Sequence, residues 1–394
     1  MNTTNLTIYR IPIETDAWFH FRTIGLNAED AKLYNCDMYP SGIGSSEIGL
    51  VLGLQKKYRP CVQEVYHIKS GSLEYTQQAN RAMVRGKILE PIVAQIWRLF
   101  DGTESWVNSI MDYMGGDRAL KGQLSIRNCR KTSGYYVHKD FPYLFSSLDY
   151  FAEKNTPGIL DGKIHPNGFP VECKTINSNY AKLWKDGVPA SHICQINQEM
   201  MDTNSDYGEI ACLFPDEFRF EIFPFYRDEE MCQRILKWGG EFWKKVLIGR
   251  EAKQKMDVCF AQGKIEDGKY HKSIIDSNEP EPDDSEAYNE YIKDRYLETV
   301  KSTMGDIPTY NASIEYKLCG EIIKLVEQRK LGNENLIRKV LEETGALMID
   351  FDAQGKITNN ANKNGSRVLR VDTLPLINLK LKAEQEFSKL KLTL

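Results

Sequence analysis

Pro170-Val171-Glu172-Cys173-Lys174-Thr175-Ile176 is the stretch on which the reading of the whole chain turns. Its β-branched residues and opening proline predict a strand. Side chains alternate across a strand, so Val171 and Cys173 fall on one face and Glu172 and Lys174 on the other. Upstream, Tyr143 to Phe151 also has strand character and carries Asp149. Asn155, Pro157, Gly158, Asp161, Gly162, Pro166, Asn167 and Gly168 lie between the two, a run of turn formers that predicts an antiparallel hairpin with a long tip. Two carboxylates and an ammonium are thereby expected on neighbouring strands.

Outward from this hairpin the pattern is helical and then strand-like again. Leu89, Val93, Ile96, Trp97 and Phe100 repeat at helical spacing and predict a helix over about 80–100, with Glu90 at the edge of the apolar stripe and Pro91 as a kink or a new first turn. Ser41-Gly42-Ile43-Gly44-Ser45-Ser46-Glu47 reads as a loop entering a helix capped by its serines. After the hairpin, a helix over 190–203 has an inner stripe of Ile193, Ile196 and Met200 and a polar stripe of Gln195, Gln198, Glu199 and Asp202. Two strands, 207–213 and 218–225, turn across Pro215-Asp216-Glu217, and a long helix from Glu229 to about Lys255 sets Ile235, Trp238, Phe242 and Val246 at core spacing. Helices alternating with strands predict an α/β (α+β) domain with a central mixed sheet flanked by helices.

The later chain differs in character. Asp276 to Asp284 is acidic and holds Pro280 and Pro282, the composition of a flexible linker. The expected organisation is therefore a first domain over 1–256, an acidic linker over 257–290, and a C-terminal helical region over 291–394 ending in a small β element. Helices are expected over 286–300 and 314–345, the latter broken at Gly332-Asn333.

Composition narrows the function classes. Nine cysteines without a CxxC pair argue against a disulfide framework and a cysteine zinc site, and six scattered histidines argue against zinc altogether. No stretch approaches 18 apolar residues and the start lacks an apolar leader core, so a soluble protein of a reducing, cytoplasmic compartment is expected. The formal net charge of -4 does not suggest a dedicated nucleic-acid binder, yet basic clusters stand at Lys56-Lys57-Tyr58-Arg59, Arg81 to Lys87 and Arg118 to Lys131. Lys56 and Arg59 are candidates for a DNA-facing loop.

Carboxylates on neighbouring strands suit a hard divalent cation, Mg²⁺ or Mn²⁺, which keeps several waters and bridges to phosphate. Asp149, Glu172 and the carbonyl of Cys173 are candidate ligands, Lys174 a candidate to orient or activate a water, and Glu90 a helix carboxylate that helps hold a second ion. Among 55 acidic and 51 basic residues, an E-x-K triplet alone is equally a solvated strand face with a surface ion pair.

The arrangement around the triplet resembles the YqaJ-type viral recombinase nucleases, which include lambda-type exonuclease, within the PD-(D/E)XK superfamily. The resemblance runs from about Thr15 to Tyr226. Trp18-Phe19-His20-Phe21-Arg22 is similar to an opening W-x-x-x-R, and Gly42 to Ile48 to a glycine-serine loop. Arg85-Gly86-Lys87-Ile88-Leu89-Glu90-Pro91 resembles G-x-x-x-E-P. His138 to Asp149 resembles h-x-x-x-P…S-x-D-G, with Tyr150 in place of the glycine. Glu172-Cys173-Lys174-Thr175 matches E-x-K-[TC], and Trp184 to Met200 matches w…g-x-P…Q-x-Q-x-x-M. The resemblance implies a PD-(D/E)XK restriction-endonuclease-like core and metal-dependent cleavage of double-stranded DNA from 5′ ends. It further implies Gln195 beside the metal-bound water or scissile phosphate, and Arg22 and Ser46 on a 5′ phosphate. A single-strand annealing protein as partner and a ring-shaped homotrimer also come from the resemblance. Asp161 is the alternative metal aspartate, although its Asp-Gly context reads as a turn. A site- or structure-specific endonuclease and a non-catalytic DNA-binding module are the rival readings.

Overall fold

The strand expected around Glu172 runs from Phe169 to Thr175, at the middle of a five-stranded sheet. The computed structural model describes residues 6–12, 15–55, 57, 59–75, 81–100, 103, 127–295, 307–344, 348–350, 355–361 and 367–373. It divides into two compact units, Met1–Glu298 and Thr299–Leu394. The first unit holds β1 (Leu6–Tyr9), α1 (Asp16–Arg22), α2 (Ala28–Leu33), β2 (Ile43–Gly44), α3 (Ser45–Val51), α4 (Val62–Ser70), α5 (Arg81–Leu99), β3 (Cys129–Lys131), β4 (Tyr135–His138), β5 (Leu144–Ser146) and β6 (Tyr150–Ala152). It continues with β7 (Phe169–Thr175), α6 (Ser178–Ala181), α7 (Ala190–Thr203), β8 (Tyr207–Phe214), β9 (Arg219–Tyr226), α8 (Glu229–Ala261), α9 (Ile265–Asn278) and α10 (Glu286–Arg295). The second unit holds α11 (Ile307–Thr344) and an antiparallel sheet of β10 (Met348–Asp350), β11 (Gly355–Ala361) and β12 (Arg367–Thr373).

The large sheet has the order β3-β6-β7-β8-β9 and is mixed. β6 and β7 form the expected antiparallel hairpin, with Tyr150 opposite Val171, and β8 and β9 pair antiparallel from Tyr207↔Tyr226 to Phe214↔Arg219. Only β7 and β8 run parallel, with Glu172 beside Ile210 and Lys174 beside Cys212. A parallel pair needs a crossover, and α7 supplies it. Asn204 ends α7 in the left-handed conformation, turning the chain into β8. At Gly208 an added Cβ would lie 3.0 Å from the Ile196 side chain, so a glycine lets α7 pack close to the sheet.

The pleat then sorts the core. Val171 packs with Val93, Ile96 and Trp97 of α5 and with Phe169, Tyr207 and Ala211. The opposite face carries Ile210, Cys212 and Phe214 against Ile196 and Met200 of α7 and against Trp184. Each fully buried aliphatic or aromatic side chain stabilises by roughly 1.5–3 kcal/mol, so these two layers anchor the β7 backbone.

The structure departs from the sequence reading in several places. The single strand expected over 143–151 is two strands in two sheets, because the chain leaves a four-stranded sheet (β1-β4-β5-β2) at Ser146 and enters the large one at Tyr150. Thr132 holds the crossing, its hydroxyl donating to the Leu148 carbonyl and its N–H to the Asp149 carbonyl. That second sheet was not foreseen, since strands of two to four residues are too short to show alternation. The segment expected as a flexible linker is largely α9 and α10. The Tyr66 hydroxyl donates to the Ile275 carbonyl at 2.9 Å, the Gln63 amide to the Glu281 carbonyl at 2.7 Å, and Ala287 and Tyr291 bury against Cys61. The first compact unit therefore ends at Glu298 and not at residue 256. On α8, Trp238 is 47% exposed while Gly239 and Trp243 face the core. α11 runs through Gly332-Asn333 without the expected break. Lys56 and Tyr58 of the candidate basic loop lie outside the described residues.

Candidate active site

β7 brings Glu172 and Lys174 to the face opposite α5, as the alternation predicts. Glu172 is 5% exposed, and the Lys174 Nζ donates to its Oε1 at 2.6 Å. From α7, Gln195 reaches the same pair. Its Nε2 donates to Glu172 Oε1 at 2.7 Å while its Oε1 accepts from Lys174 Nζ at 3.2 Å. One amide thus fixes both charged groups. The other Glu172 oxygen, Oε2, is buried and has no hydrogen-bond partner.

Asp149 is the last residue of the crossing between the two sheets, and its Oδ2 accepts the Cys173 N–H at 2.9 Å across the hairpin. Glu90, on α5, accepts from Lys131 of β3 at 2.9 Å. Burial, then Glu172, then Glu90 push the Asp149 carboxyl well above the usual carboxylate range. Burial alone would lower the Lys174 ammonium, but Glu172 and Asp149 outweigh it and hold the proton more tightly. Hydrogen bonds thus tie Asp149, Glu172, Cys173, Lys174 and Gln195 together around β7, with Glu90 near enough to raise the pKa of Asp149. Asp161 lies apart in the hairpin tip, bonded to the Lys163 N–H and the Tyr226 hydroxyl.

Among the described residues no three His, Cys, Asp or Glu side chains form a ready-made metal cage. The donor chemistry nevertheless suits a hard cation: three carboxylates, one carrying a buried oxygen without a partner. Mg²⁺ is commonly held by only one or two carboxylates, with water and phosphate completing its shell.

The second cluster stands at the start of α3. Gly44 is its N-cap residue, and the Glu47 side chain accepts the Gly44 N–H at 2.7 Å. The serines do not cap the helix as expected. Ser46 Oγ instead accepts from Arg22 Nη2 at 3.2 Å, and Ser45 Oγ donates to Glu199 Oε1 at 3.1 Å. Arg22 lies 5.2 Å from the Trp18 ring centroid, and its carbonyl accepts from Lys69 Nζ at 2.7 Å. Lys69, 1% exposed, also pairs with Glu47 at 2.9 Å, tying α1 to the first turn of α3. Arg59 belongs to neither cluster, its guanidinium being engaged by Glu64 at 2.7 Å and by Asp294.

Sequence reading missed the depth of the α7 polar stripe. Gln198 and Glu199 are fully buried and Asp202 nearly so. Gln198 donates to the carbonyls of Ile43 and Phe145, both at 3.0 Å, and Asp202 accepts from Ser146 at 2.7 Å. The stripe is an interior polar layer between the two sheets. His192 was also missed. Burial and the neighbouring Lys174 push its pKa down to about 3, so it stands neutral beside the site. The spacing of Gln195 and Glu199, one helical turn, was the available signal.

The β6–β7 hairpin, the crossover helix and the parallel β8 form a mixed sheet flanked by helices. Residues 18–206 match the model of the YqaJ-like viral recombinase domain. The uncharacterized protein YqaJ of Bacillus subtilis (strain 168) is 23% identical over 307 residues, 77% of this chain and 76% of its own length. Among solved structures, the alkaline exonuclease LHK-Exo of Laribacter hongkongensis aligns with 56% of this chain and 94% of its own at 15% identity and a TM-score of 0.37. Its complex with dAMP aligns with 57% of this chain and 94% of its own at 14% identity and a TM-score of 0.38. Among the described residues no helix is long and apolar enough to cross a membrane.

Proposed function

We propose that the chain is a divalent-metal-dependent DNA exonuclease that resects double-stranded ends from 5′ to 3′, leaving a 3′ overhang for a single-strand annealing protein. One observation carries the reading: Glu172 and Lys174 share a strand face, Asp149 stands across the hairpin, and Gln195 bridges the pair. The viral recombinase domain supports a recombination setting.

Asp149, Glu172 and the Cys173 carbonyl would hold Mg²⁺ or Mn²⁺, with Glu90 toward a second ion. When bound, such ions polarise the scissile phosphate and make a hydroxide nucleophile available near neutral pH. Lys174 keeps its proton among carboxylates, so it acts as a fixed cation that orients the attacking water and balances negative charge on the phosphate. Gln195 holds that ammonium and Glu172 in register. Arg22 and Ser46 would receive a terminal 5′ phosphate, a guanidinium supplying paired donors and the hydroxyl one more.

The test is time-resolved product analysis on linear and covalently closed duplex DNA with Mg²⁺. Progressive loss from 5′ ends, sparing of closed circles and an inactive Lys174→Ala variant are expected. Cutting of closed circles would make the enzyme an endonuclease. Absence of Lys174-dependent cleavage with either metal would remove the nuclease reading, and sedimentation would check the trimer.

A further inference from the structure

The two clusters are joined by an unbroken chain of side-chain hydrogen bonds. Ser45 Oγ donates to Glu199 Oε1 at 3.1 Å, and the same oxygen accepts from Gln195 Nε2 at 3.0 Å. That nitrogen donates in turn to Glu172 Oε1 at 2.7 Å. At the far end, Ser45 is the first residue of α3 and Ser46, bonded to Arg22, the second. The link runs from Ser45, next to the terminal-phosphate pair, to the metal carboxylate through two residues of α7, Glu199 and Gln195.

Glu199 is a poor choice for mere packing. It is fully buried, its Oε2 has no hydrogen-bond partner, and burial together with Glu172 raises its pKa well above the usual range. An apolar side chain would fill the same volume without desolvating a carboxyl. What an apolar residue could not do is accept from Ser45 and Gln195 at one oxygen. Low local dielectric strengthens such a bond, and a rigid helix fixes the distance between its ends. Any displacement of α3 by a phosphate at Arg22 and Ser46 would be carried along these bonds to Gln195, which bonds both Glu172 and Lys174.

We infer that Glu199 is a positioning residue that couples occupation of the Arg22–Ser46 phosphate pair to the catalytic Glu172–Lys174–Gln195 group, so that a DNA end bearing a 5′ phosphate is cut faster than one bearing a hydroxyl. The coupling rests on the nuclease reading above. It goes beyond that reading in assigning the selectivity to a residue that touches neither metal nor DNA.

The test uses the full chain with Mg²⁺ on linear duplexes differing only in a 5′-phosphate or 5′-hydroxyl end, with kcat and KM measured for each. The unsubstituted protein should favour phosphate in kcat. Glu199→Ala should lower that preference by about five- to tenfold, the scale of one buried hydrogen bond. Its activity on 5′-hydroxyl ends should fall less. Glu199→Gln, which keeps an accepting oxygen, should restore most of the preference. Ser45→Ala breaks the same link from the other end and keeps the test decisive if Glu199→Ala fails to fold. Asp202→Asn, a buried change one turn further along α7, should leave the ratio unmoved. An active enzyme whose ratio is unchanged in Ser45→Ala and Glu199→Ala, or is equally lost in Asp202→Asn, would overturn the coupling alone. No cleavage by the unsubstituted protein would overturn the nuclease reading and the coupling with it.

Discussion

Two buried cation–carboxylate pairs sit on opposite faces of one sheet, and they are built differently. On the α5 face, Glu209 accepts from Arg127 Nη1 at 2.7 Å, Trp97 Nε1 at 2.6 Å, the Ile159 N–H at 2.8 Å and the Tyr207 hydroxyl at 2.9 Å. Both its oxygens are satisfied. On the α7 face, Glu172 takes Lys174 and Gln195 on one oxygen and leaves the other bare. A desolvated charge is tolerated when its hydrogen-bonding capacity is filled. On its carboxylate side the first pair is closed and reads as a structural clamp, although Arg127 Nε is buried without a partner. The second is left incomplete where a cation from solution would complete it.

Breaking the closed pair should have the largest effect. Glu209→Ala leaves Arg127 buried without its carboxylate and should cost about 3–5 kcal/mol of stability, read by denaturant unfolding. A loss below about 1 kcal/mol would mean water replaces the carboxylate, and the clamp description would go. Lys174→Ala acts on the open pair. Cleavage should fall by roughly 10²–10⁴-fold, with a smaller loss of stability than in Glu209→Ala, since the Lys174 side chain is 21% exposed and water can follow it to Glu172. Equal losses of stability in the two variants would erase the distinction.

Filling the open pair is the complementary experiment. Mg²⁺ at about a hundred times its Kd should stabilise the protein by about 2.7 kcal/mol, seen as a higher Tm. Glu172→Gln should abolish the shift, and calorimetry should show the heat of binding lost with it. A Mg²⁺ response that survives in Glu172→Gln would place the ion elsewhere.

A smaller effect concerns the layer behind the open pair. Burial pushes Asp202 up to about 8, against the opposing hydrogen bonds of Ser146 and Gln198. A carboxyl raised in the folded state binds its proton more tightly there than in the unfolded chain. Its contribution is complete below about pH 4 and declines as pH rises toward 8. Asp202→Asn should therefore flatten the fall in Tm between those limits, and an unchanged slope would assign it to other groups. The smallest effect is expected at Arg59. Its partners Glu64 and Asp294 are at the surface or near it, so Arg59→Ala should cost about 0–1 kcal/mol. A marked drop in the salt dependence of DNA binding would instead make Arg59 a phosphate contact.

The same contrast explains what the sequence let through. The placement of Glu172 opposite Val171 follows from period-two alternation alone, and the β6–β7 hairpin from its turn residues. The closed clamp was invisible because Trp97, Arg127 and Glu209 come from three distant segments, and no local pattern marks them as a unit. The depth of Glu199 was hidden for a related reason. A polar helical stripe predicts solvent unless a second sheet covers it, and strands as short as Ile43–Gly44 leave no trace in periodicity. The acidic stretch near residue 280 misled by composition. Its apolar anchors Ile275, Ala287 and Tyr291 are few and far apart, yet each finds a buried seat.

That last packing has a practical consequence for anyone trimming the chain. Ending the polypeptide near residue 256 would strip α9 and α10 from α4. The Tyr66 hydroxyl and the Gln63 amide would lose the carbonyls they bond, and Cys61 would lose its aromatic cover. Such a fragment would present a fresh sticky surface and collect in inclusion bodies. A cut just beyond Glu298 keeps the clasp shut and should yield material that stays in solution.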